Sequence, residues 1–236
     1  MTEALVQMEA TWPPAECRAL GPVTLRLGAG GGQRVSAATV AGAWTAKDLA
    51  RAETAMRQIG QNPLFMLTPD QTDLDRALAA QGYQIKDPVV VYQAACPVVA
   101  GEGPAYMTTF AHWPPMEIAK TLWLDGHIGP PRVAIMQRVT GARTAVLARA
   151  QDRAAGVAFV ALSGDLAFVH AVHVGLALRR QGAAQNLMRA AAVWAASQGA
   201  GSLASAVTAA NLPARALYAS LGMEVVGQYH YRVRPE

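Results

Sequence analysis

The residues with the clearest chemical potential lie in a short turn, residues 178–184, between an apolar run and an amphipathic stretch. Upstream, Leu166–Val174 has the β-branched and aromatic content typical of a buried strand. Downstream, apolar residues recur at helical spacing from Gly182 or Ala183 onward, which predicts a helix of roughly 16 residues. The first backbone N–H groups of a helix are unpaired, and small residues at the helix start leave them exposed. This turn also carries two arginines. Such a turn suits a phosphate or a diphosphate.

The composition indicates a globular protein and favours an anionic small ligand over a nucleic acid. Of the 236 residues, 52% are hydrophobic and 15% are charged, which argues against disorder. The net charge of +4 is carried mostly by arginine and is not concentrated in a run, whereas binding to a nucleic-acid backbone needs a basic face. Cys17 and Cys96 have neither a disulfide-framework nor a metal-ligand spacing and are interpreted as structural.

One segment resembles a membrane span, but its pattern favours a β-hairpin. Residues 154–178 contain Asp165 as their only formally charged residue. The sequence Ser163-Gly164-Asp165 is a turn signal that divides this segment into two runs of strand length. The start of the chain, residues 1–5, lacks the basic segment and apolar core of a signal peptide. A cytoplasmic protein without membrane contact is therefore expected.

A Trp-Pro-Pro-x-Glu pattern occurs twice, at residues 12–16 and 113–117. Each copy of the pattern begins a long segment. Each segment ends with a predicted helix, then a glycine (Gly82 or Gly222), then a strand. Glycine is the usual left-handed cap of a helix. An internal duplication is favoured, while coincidence stays open for the Trp-Pro-Pro echo. The boundary is expected in the small-residue stretch 100–104, which gives two domains, residues 1–100 and 104–236.

The mixed order of predicted elements indicates an α+β or α/β sheet with helices on both faces. The predicted helices cover residues 46–59, 74–80, 116–125, 133–139, the stretch after residue 182, and 212–220. The predicted strands cover residues 23–27, 35–40, 64–67, 89–92, 145–148, 157–162, 166–174 and 203–207, with closing strands to about residue 233.

Three motifs in a fixed order give the C-terminal half a family resemblance. Residues 179–184, Arg-Arg-Gln-Gly-Ala-Ala, fit an acyl-CoA signature of Gln or Arg, two residues, Gly, one residue, and Gly or Ala. Asn211 directly follows a predicted strand and opens a helix. Tyr218 lies in that helix, which closes with Gly222 and an apolar residue. Together these motifs resemble the core of the GNAT superfamily of N-acetyltransferases over residues 144–236.

The resemblance implies a GNAT-like fold, with a central mixed sheet flanked by helices, in a tandem arrangement with a smaller N-terminal α/β half. It implies an N-acetyltransferase in which a primary amine, on a small molecule or peptide, attacks acetyl-CoA directly in a ternary complex without a metal. The N-terminal half would shape the acceptor cleft or an interface, as in a homodimer. The residues that the resemblance assigns to acetyl-CoA binding are Val172, His173, Val174, Arg179, Arg180, Gln181, Gly182, Ala183, Ala184 and Asn211.

Two side chains are the expected catalytic groups. The resemblance gives Tyr218 the role of the acid that protonates the departing thiolate. His170 could accept the proton of the amine near neutral pH, although a histidine satisfied in the core is an open alternative. His173 lies an odd number of residues away and is expected on the opposite face of the sheet. Aligned on Gly82, the N-terminal half has Leu78 in place of Tyr218 and is expected to be catalytically inactive.

Other functions stay open on the sequence. A non-catalytic acyl-CoA-binding sensor would keep the same turn, although the intact Tyr218 argues against it. An aminoacyl-tRNA-dependent transferase predicts more basic charge and no CoA loop. The glycines of residues 28–32 suggest a dinucleotide loop, but Gln33 replaces the third glycine of that motif, so a hairpin turn is favoured. Asp125 or Glu117 could recognise the acceptor amine, whose identity the sequence does not give.

Overall fold

The computed structural model of the protein describes residues 3–235. Met1 and Thr2, which belong to the start compared above with a signal peptide, lie outside these residues. The chain divides into two compact units. Unit 1 comprises the residues up to 12 together with 91–207 and 211–227, and unit 2 comprises residues 13–90, 208–210 and those from 228 onward.

The helices and strands alternate along the described chain much as the hydrophobic pattern predicts. In chain order they are α1 (Glu3–Thr11), β1 (Glu16–Leu20), β2 (Val23–Leu27), β3 (Thr39–Val40), α2 (Ala46–Gln58), β4 (Leu64–Leu67), α3 (Thr72–Ala80), β5 (Gln84–Ala95), α4 (Cys96–Ala100), β6 (Thr109–His112), α5 (Glu117–Asp125), α6 (Pro130–Arg138), β7 (Arg143–Ala150), β8 (Arg153–Ser163), β9 (Leu166–Val174), α7 (Ala183–Ser197), β10 (Ser202–Thr208), α8 (Leu212–Ser220) and β11 (Glu224–Val233).

The core of unit 1 is a mixed sheet. Its strands lie in the spatial order β5, β10, β9, β8, β7, β6, and β5 contributes only its C-terminal residues to this unit. The strands β6 to β9 pair antiparallel, whereas β9 and β10 pair parallel. The parallel pair is connected by α7, which buries an alanine-rich face against the sheet and so lies close to the strands. The predicted mixed sheet flanked by helices is therefore confirmed.

Unit 2 contains the smaller N-terminal sheet and its own core. Strands β1, β2 and β3 form an antiparallel sheet. The helices α2 and α3 bury Leu49, Met56, Leu74 and Leu78 in one hydrophobic cluster with residues of β2 and β4. Strand β4 pairs antiparallel with the end of β11, which brings the last residues of the chain into this unit.

The helix–glycine–strand ending occurs twice with the same hydrogen bonds. After α3, Gly82 N–H donates to the carbonyl of Ala79 and Tyr83 N–H donates to Leu78; after α8, Gly222 donates to Ala219 and Met223 to Tyr218. Both glycines have positive φ, +86° and +74°. The corresponding elements are α2, β4, α3 and β5 in one copy and α7, β10, α8 and β11 in the other. This order supports an internal duplication.

The Trp-Pro-Pro echo does not mark equivalent positions in the two copies. Trp12 follows α1 and precedes β1, whereas Trp113 follows β6 and precedes α5. The stretch at residues 100–104 is also not a free linker. The side chain of Arg189 on α7 donates to the carbonyl of Gly103 over 3.3 Å, so this stretch is tied to unit 1. The strands β5 and β11 each contribute residues to both compact units, and the domains 1–100 and 104–236 stay a prediction.

The structure also bears on the predicted hairpin, the two cysteines and the predicted strand at residues 35–40. The hairpin predicted within residues 154–178 is confirmed as β8 and β9, and no helix within residues 3–235 is long and apolar enough to cross a membrane. Cys96 is buried, but Cys17 is exposed, so only Cys96 fills a core. Val35 lies in a 3₁₀ turn, not in the predicted strand. Among the described His, Cys, Asp and Glu side chains, no group of three is arranged to hold a metal ion.

Candidate active site

The two parallel strands of unit 1 separate partway along their length. Their register runs from Leu166↔Ser202 to Val169↔Ser205. Beyond Val169 the strand β9 continues to Val174, so its backbone runs on past the last pair with β10. A gap between parallel strands exposes peptide groups that can bind an extended ligand as an added strand would. Val172, His173 and Val174 all lie beyond the point of separation and are half-buried.

A β-bulge in β9 lies just beyond this point. Phe159 pairs with His170, and Val157 pairs with His173, so two steps along β8 match three steps along β9. The extra residue is accommodated at Ala171, whose φ of +53° is left-handed. The indole N–H of Trp123 on α5 donates to the Ala171 carbonyl over 2.8 Å and fixes the bulge.

The bulge overturns the expectation that His170 and His173 face opposite sides of the sheet. Val157 and Phe159 are two residues apart on β8 and therefore share a face. Directly paired residues also share a face, so His173 opposite Val157 lies on the same side as His170 opposite Phe159. Side chains alternate between the two faces only along an unbroken strand, and the bulge between the two histidines interrupts this alternation.

His170 is part of the core of unit 1. It is 5% exposed, and its Nε2 lies 2.9 Å from the hydroxyl of Thr11 at the end of α1. Its ring stacks on Phe168 at 5.6 Å between centroids, and the ring of Trp12 lies 4.9 Å away. The surroundings are those of a histidine satisfied in the core, the alternative that the sequence left open.

The turn before α7 exposes the residues expected to bind a diphosphate. Arg179, Arg180, Gln181 and Gly182 are exposed, while Ala183 is buried and Ala184 is half-buried. Gly182 is the N-cap residue of α7 with φ +79°, and a side chain there would meet no described protein atom within 4 Å. The first turn of a helix leaves its N–H groups without intrahelical acceptors, and the space beside Gly182 at this helix end is open.

The arginines of this turn differ in their contacts. The Nε of Arg179 donates to the carbonyl of Val174 over 3.1 Å, which ties the turn to the end of β9. Arg180 has a left-handed φ of +62° and an exposed side chain. The side-chain amide of Gln181 donates to the carbonyl of Ala177. All three residues directly precede the N-terminus of α7. The charges of the two arginines and the positive end of the helix dipole favour an anion there.

The corresponding helix in unit 2, α2, closes its own N-terminus. The hydroxyl of Thr45 accepts from the Asp48 amide, and the Asp48 carboxylate accepts from the Thr45 amide over 2.9 Å and from its hydroxyl. These bonds from Thr45 lower the pKa of Asp48, so this carboxylate is charged at neutral pH. A second anion is unfavourable there, whereas α7 has no acidic residue in its first turn.

Tyr218 lies where β9 and β10 separate. Its hydroxyl is 3.0 Å from the Oγ of Ser205, and that Oγ is 3.2 Å from the carbonyl oxygen of Val169. Val169 and Ser205 are the last paired residues of the two strands. A serine hydroxyl has one hydrogen and the carbonyl only accepts, so Ser205 donates to Val169 and can accept from Tyr218. The ring of Tyr218 packs on Tyr92 of β5 at 5.5 Å.

Asn211 has a structural role in this conformation. It is the N-cap residue of α8, and its side-chain oxygen accepts from the amide of Ala214 over 3.2 Å. This bond accounts for the position of Asn211 directly before a helix.

Sequence reasoning missed Ser205, Tyr92 and Trp123. Ser205 is a 2% exposed polar residue between two alanines of β10, and a buried hydroxyl there must find a hydrogen-bond partner. That signal marks Ser205 as a residue of interest. Nothing in the sequence connects Tyr92 with Tyr218 or Trp123 with Ala171, because each pair is far apart along the chain.

The separated strand pair β9 and β10, the N-terminus of α7 and the hydroxyl of Tyr218 form an arrangement that could accept an extended ligand with an anionic end. Residues 112–223 match the sequence model of the Acetyltransferase (GNAT) family. No curated protein sequence matches the chain.

Solved structures are similar over nearly the whole chain. A GCN5-related N-acetyltransferase from Kribbella flavida has a TM-score of 0.74 and 17% identity, over 97% of this chain and 93% of its own. A conserved protein of unknown function from Staphylococcus epidermidis has a TM-score of 0.70 and 10% identity, over 94% of each chain. A tandem GNAT protein from the clavulanic acid biosynthesis pathway has a TM-score of 0.62 and 16% identity, over 91% of this chain and 78% of its own.

At these identities the structural likeness establishes the fold, which is the GNAT fold expected from the sequence. The family model matches residues 112–223, the part of the chain that contains this site. This match supports acyl transfer as the general chemistry of these residues.

Proposed function

We propose that the protein is an N-acyltransferase that transfers the acetyl group of acetyl-CoA to a primary amine by direct attack. The first-turn amides of α7 would bind the diphosphate of CoA, and the end of β9 from Val172 to Val174 would bind the pantetheine arm and polarise the thioester carbonyl. Tyr218 would protonate the sulfur as the C–S bond breaks. No metal has a part in this mechanism.

One observation carries the proposal. The N-terminus of α7 is open at Gly182 and has no acidic residue in its first turn, and it follows the same strand that separates from β10 beside the hydroxyl of Tyr218. A diphosphate at Gly182 and a thioester near Tyr218 would therefore lie along one continuous backbone edge. The N-terminal half contributes Tyr92, which packs on Tyr218 in unit 1.

The role of Gly182 is tested with a matched pair of glycine variants. Gly182 and Gly199 lie at opposite ends of α7, both have left-handed φ (+79° and +92°), and neither has a described atom within 4 Å of a new Cβ. Gly182→Val and Gly199→Val should each lose about 1–3 kcal/mol from backbone strain. Only Gly182→Val should abolish acetyl-CoA binding, since only there would the side chain fill the space of the diphosphate.

Binding is measured as the rise in unfolding temperature with acetyl-CoA, because a ligand that binds only the folded state at about 100 times its Kd adds about 2.7 kcal/mol. Turnover is measured as free thiol released in the presence of a panel of amines. Wild type without a thermal shift would contradict the proposal, and so would a Gly182→Val variant that still binds. A thermal shift without turnover on any amine would instead favour an acyl-CoA sensor.

A further inference from the structure

We infer that the side chain of His173, not His170, accepts the proton of the attacking amine. This inference rests on the proposed acetyl transfer and names a residue in the same site. It concerns the side chain of His173, in addition to the backbone role given above to this residue.

The position of His173 follows from the bulge at Ala171. His173 lies two residues after the bulge, in the part of β9 that has already separated from β10. It faces the side of the sheet that His170 also faces, but it is half-buried where His170 is 5% exposed. His170 is covered by Thr11 and Trp12 of the N-terminal segment. Of the two histidines, His173 is the one that solvent and an acceptor can reach.

The ring of His173 is held against the end of α5. A side chain at Gly126 would overlap the imidazole Nδ1 and would lie 2.6 Å from Cγ, so the ring packs on the bare backbone of this glycine. Trp123, one helical turn earlier, holds the bulge through its bond to Ala171. The end of α5 therefore fixes both the strand distortion and the imidazole that follows it.

The charged groups around His173 come from two elements. Asp125 and His127 flank Gly126 at the end of α5, and Arg179 follows β9. Burial lowers the pKa of His173 below its ordinary value near 6.5, and the charges of Arg179 and His127 add to this effect while Asp125 opposes it. The imidazole is therefore neutral at pH 7, which is the form that can take a proton.

The proton balance of the reaction is complete with these groups. His173 takes one proton from the ammonium form of the acceptor and later releases it to solvent. The amine lone pair then forms the C–N bond, and the carbonyl π electrons move to oxygen. When they return, the C–S bond breaks with its electron pair on sulfur. Tyr218 protonates the sulfur and recovers the second proton that the new amide nitrogen loses.

Four variants test the assignment, with the proton-accepting role read from pH profiles. His173→Gln keeps a polar side chain of similar reach but has no basic nitrogen. Gly126→Ala, at an ordinary φ of −85°, should displace the imidazole without straining the backbone. Gly129→Ala is its control in the same connection, because a side chain there makes only an ordinary contact at 3.9 Å. Thr11→Val removes the hydroxyl partner of His170 and leaves both histidines in place.

We expect His173→Gln to lower kcat about 100-fold at neutral pH and to remove the acidic limb of the kcat/KM profile, which should lie below pH 6.5 because the pKa of His173 is lowered. Its affinity for acetyl-CoA should not change. Gly126→Ala should lower kcat in part, and Gly129→Ala and Thr11→Val should keep the wild-type profile. The imidazole resonances of wild type, assigned by comparison with His173→Gln, should show His173 titrating at the pH of that limb.

A His173→Gln variant that retains the acidic limb would overturn the inference, and so would a Thr11→Val variant in which the limb shifts. These results are distinct from a failure of the proposed function, which would appear as wild type that does not bind acetyl-CoA or does not release thiol. Loss of acetyl-CoA affinity in His173→Gln would also overturn the inference, since the side chain would then act in binding.

Discussion

At the scale of single residues, Tyr218 illustrates how burial and function combine. The residue is 4% exposed, yet its hydroxyl lies at the place where two strands separate, in a chain of contacts through Ser205 to Val169. The ring is fixed by Tyr92, whose own hydroxyl accepts from Arg215 of α8. A phenol held this firmly is well positioned to deliver a proton to one place.

Replacement of Tyr218 by phenylalanine should therefore affect turnover much more than folding. Ser205 keeps its bond to Val169 in Tyr218→Phe, so the expected loss of unfolding free energy is about 0.5–1.5 kcal/mol. The rate constant kcat should fall about 10²- to 10⁴-fold with acetyl-CoA affinity retained. Thiol release and calorimetric titration measure the two quantities, and Tyr106→Phe, at a 93% exposed tyrosine, is the control. Unchanged turnover in Tyr218→Phe would remove this tyrosine from the mechanism.

At the scale of elements, a charged cluster joins the end of β11 to α3 within unit 2. Arg232 donates to both carboxylate oxygens of Asp75 over 2.8 Å, and the Nε2 of His230 lies 2.7 Å from one of them. Arg232 also donates to the carbonyl of Tyr83, which follows α3. His230 and Arg232 thus both bind α3 at Asp75, and Arg232 also binds the chain just after the helix.

This cluster predicts a loss of stability in acid. The bonds from Arg232, and then from His230, lower the pKa of Asp75 from its ordinary 3.8 to about 2. A carboxyl with a depressed folded-state pKa stabilises the protein above its unfolded pKa and loses this contribution as the pH falls toward the folded value. The unfolding free energy should therefore drop by about 1–2 kcal/mol between about pH 4 and 2.

Urea unfolding at a series of pH values measures this component. Asp75→Asn should be less stable than wild type at neutral pH and should lack the drop. Asp73→Asn is the control on the same helix, since the side chain of Asp73 is 86% exposed. Equal pH dependence in wild type and Asp75→Asn would show that the cluster does not contribute.

At the scale of the whole molecule, the chain carries two versions of one helix–strand series with different helix N-termini. In the last helix of the first copy, Leu78 takes the position that Tyr218 has in the second copy. The side chains of Thr45 and Asp48 cap the N-terminus of α2 in the first copy. The second copy leaves the start of α7 accessible at Gly182. The physical difference is the carboxylate of Asp48, which occupies the start of α2, whereas the first turn of α7 has no acidic residue.

One acetyl-CoA should therefore bind per chain. Calorimetric titration of wild type should give a stoichiometry near one, and Gly182→Val should remove the binding altogether. Asp48→Ala should lose some stability, because its carboxylate no longer accepts from Thr45, and should keep both the stoichiometry and the Kd. A stoichiometry near two would mean that the N-terminal copy also binds the donor.

The sequence by itself determined the elements that local chemistry specifies. The helices after Thr45 and Gly182, the hairpin at Gly164 and the two glycine-capped ends were all predictable, because periodicity, capping residues and turn residues act within a few neighbours. The helix α1 and the strands β1 and β6 were missed, since their apolar pattern is weak and their formation depends on packing.

For the site, the turn at residues 179–184 and Tyr218 were visible as a motif, but their surroundings were not. Tertiary structure decided that His170 is buried under Thr11 and that His173 shares its face of the sheet. The reason is the bulge at Ala171: one extra residue in a paired strand reverses every later side chain, and only the register with β8 reveals it. Tertiary structure also decided that β5 and β11 each serve two units, because strand pairing joins residues that are distant in sequence.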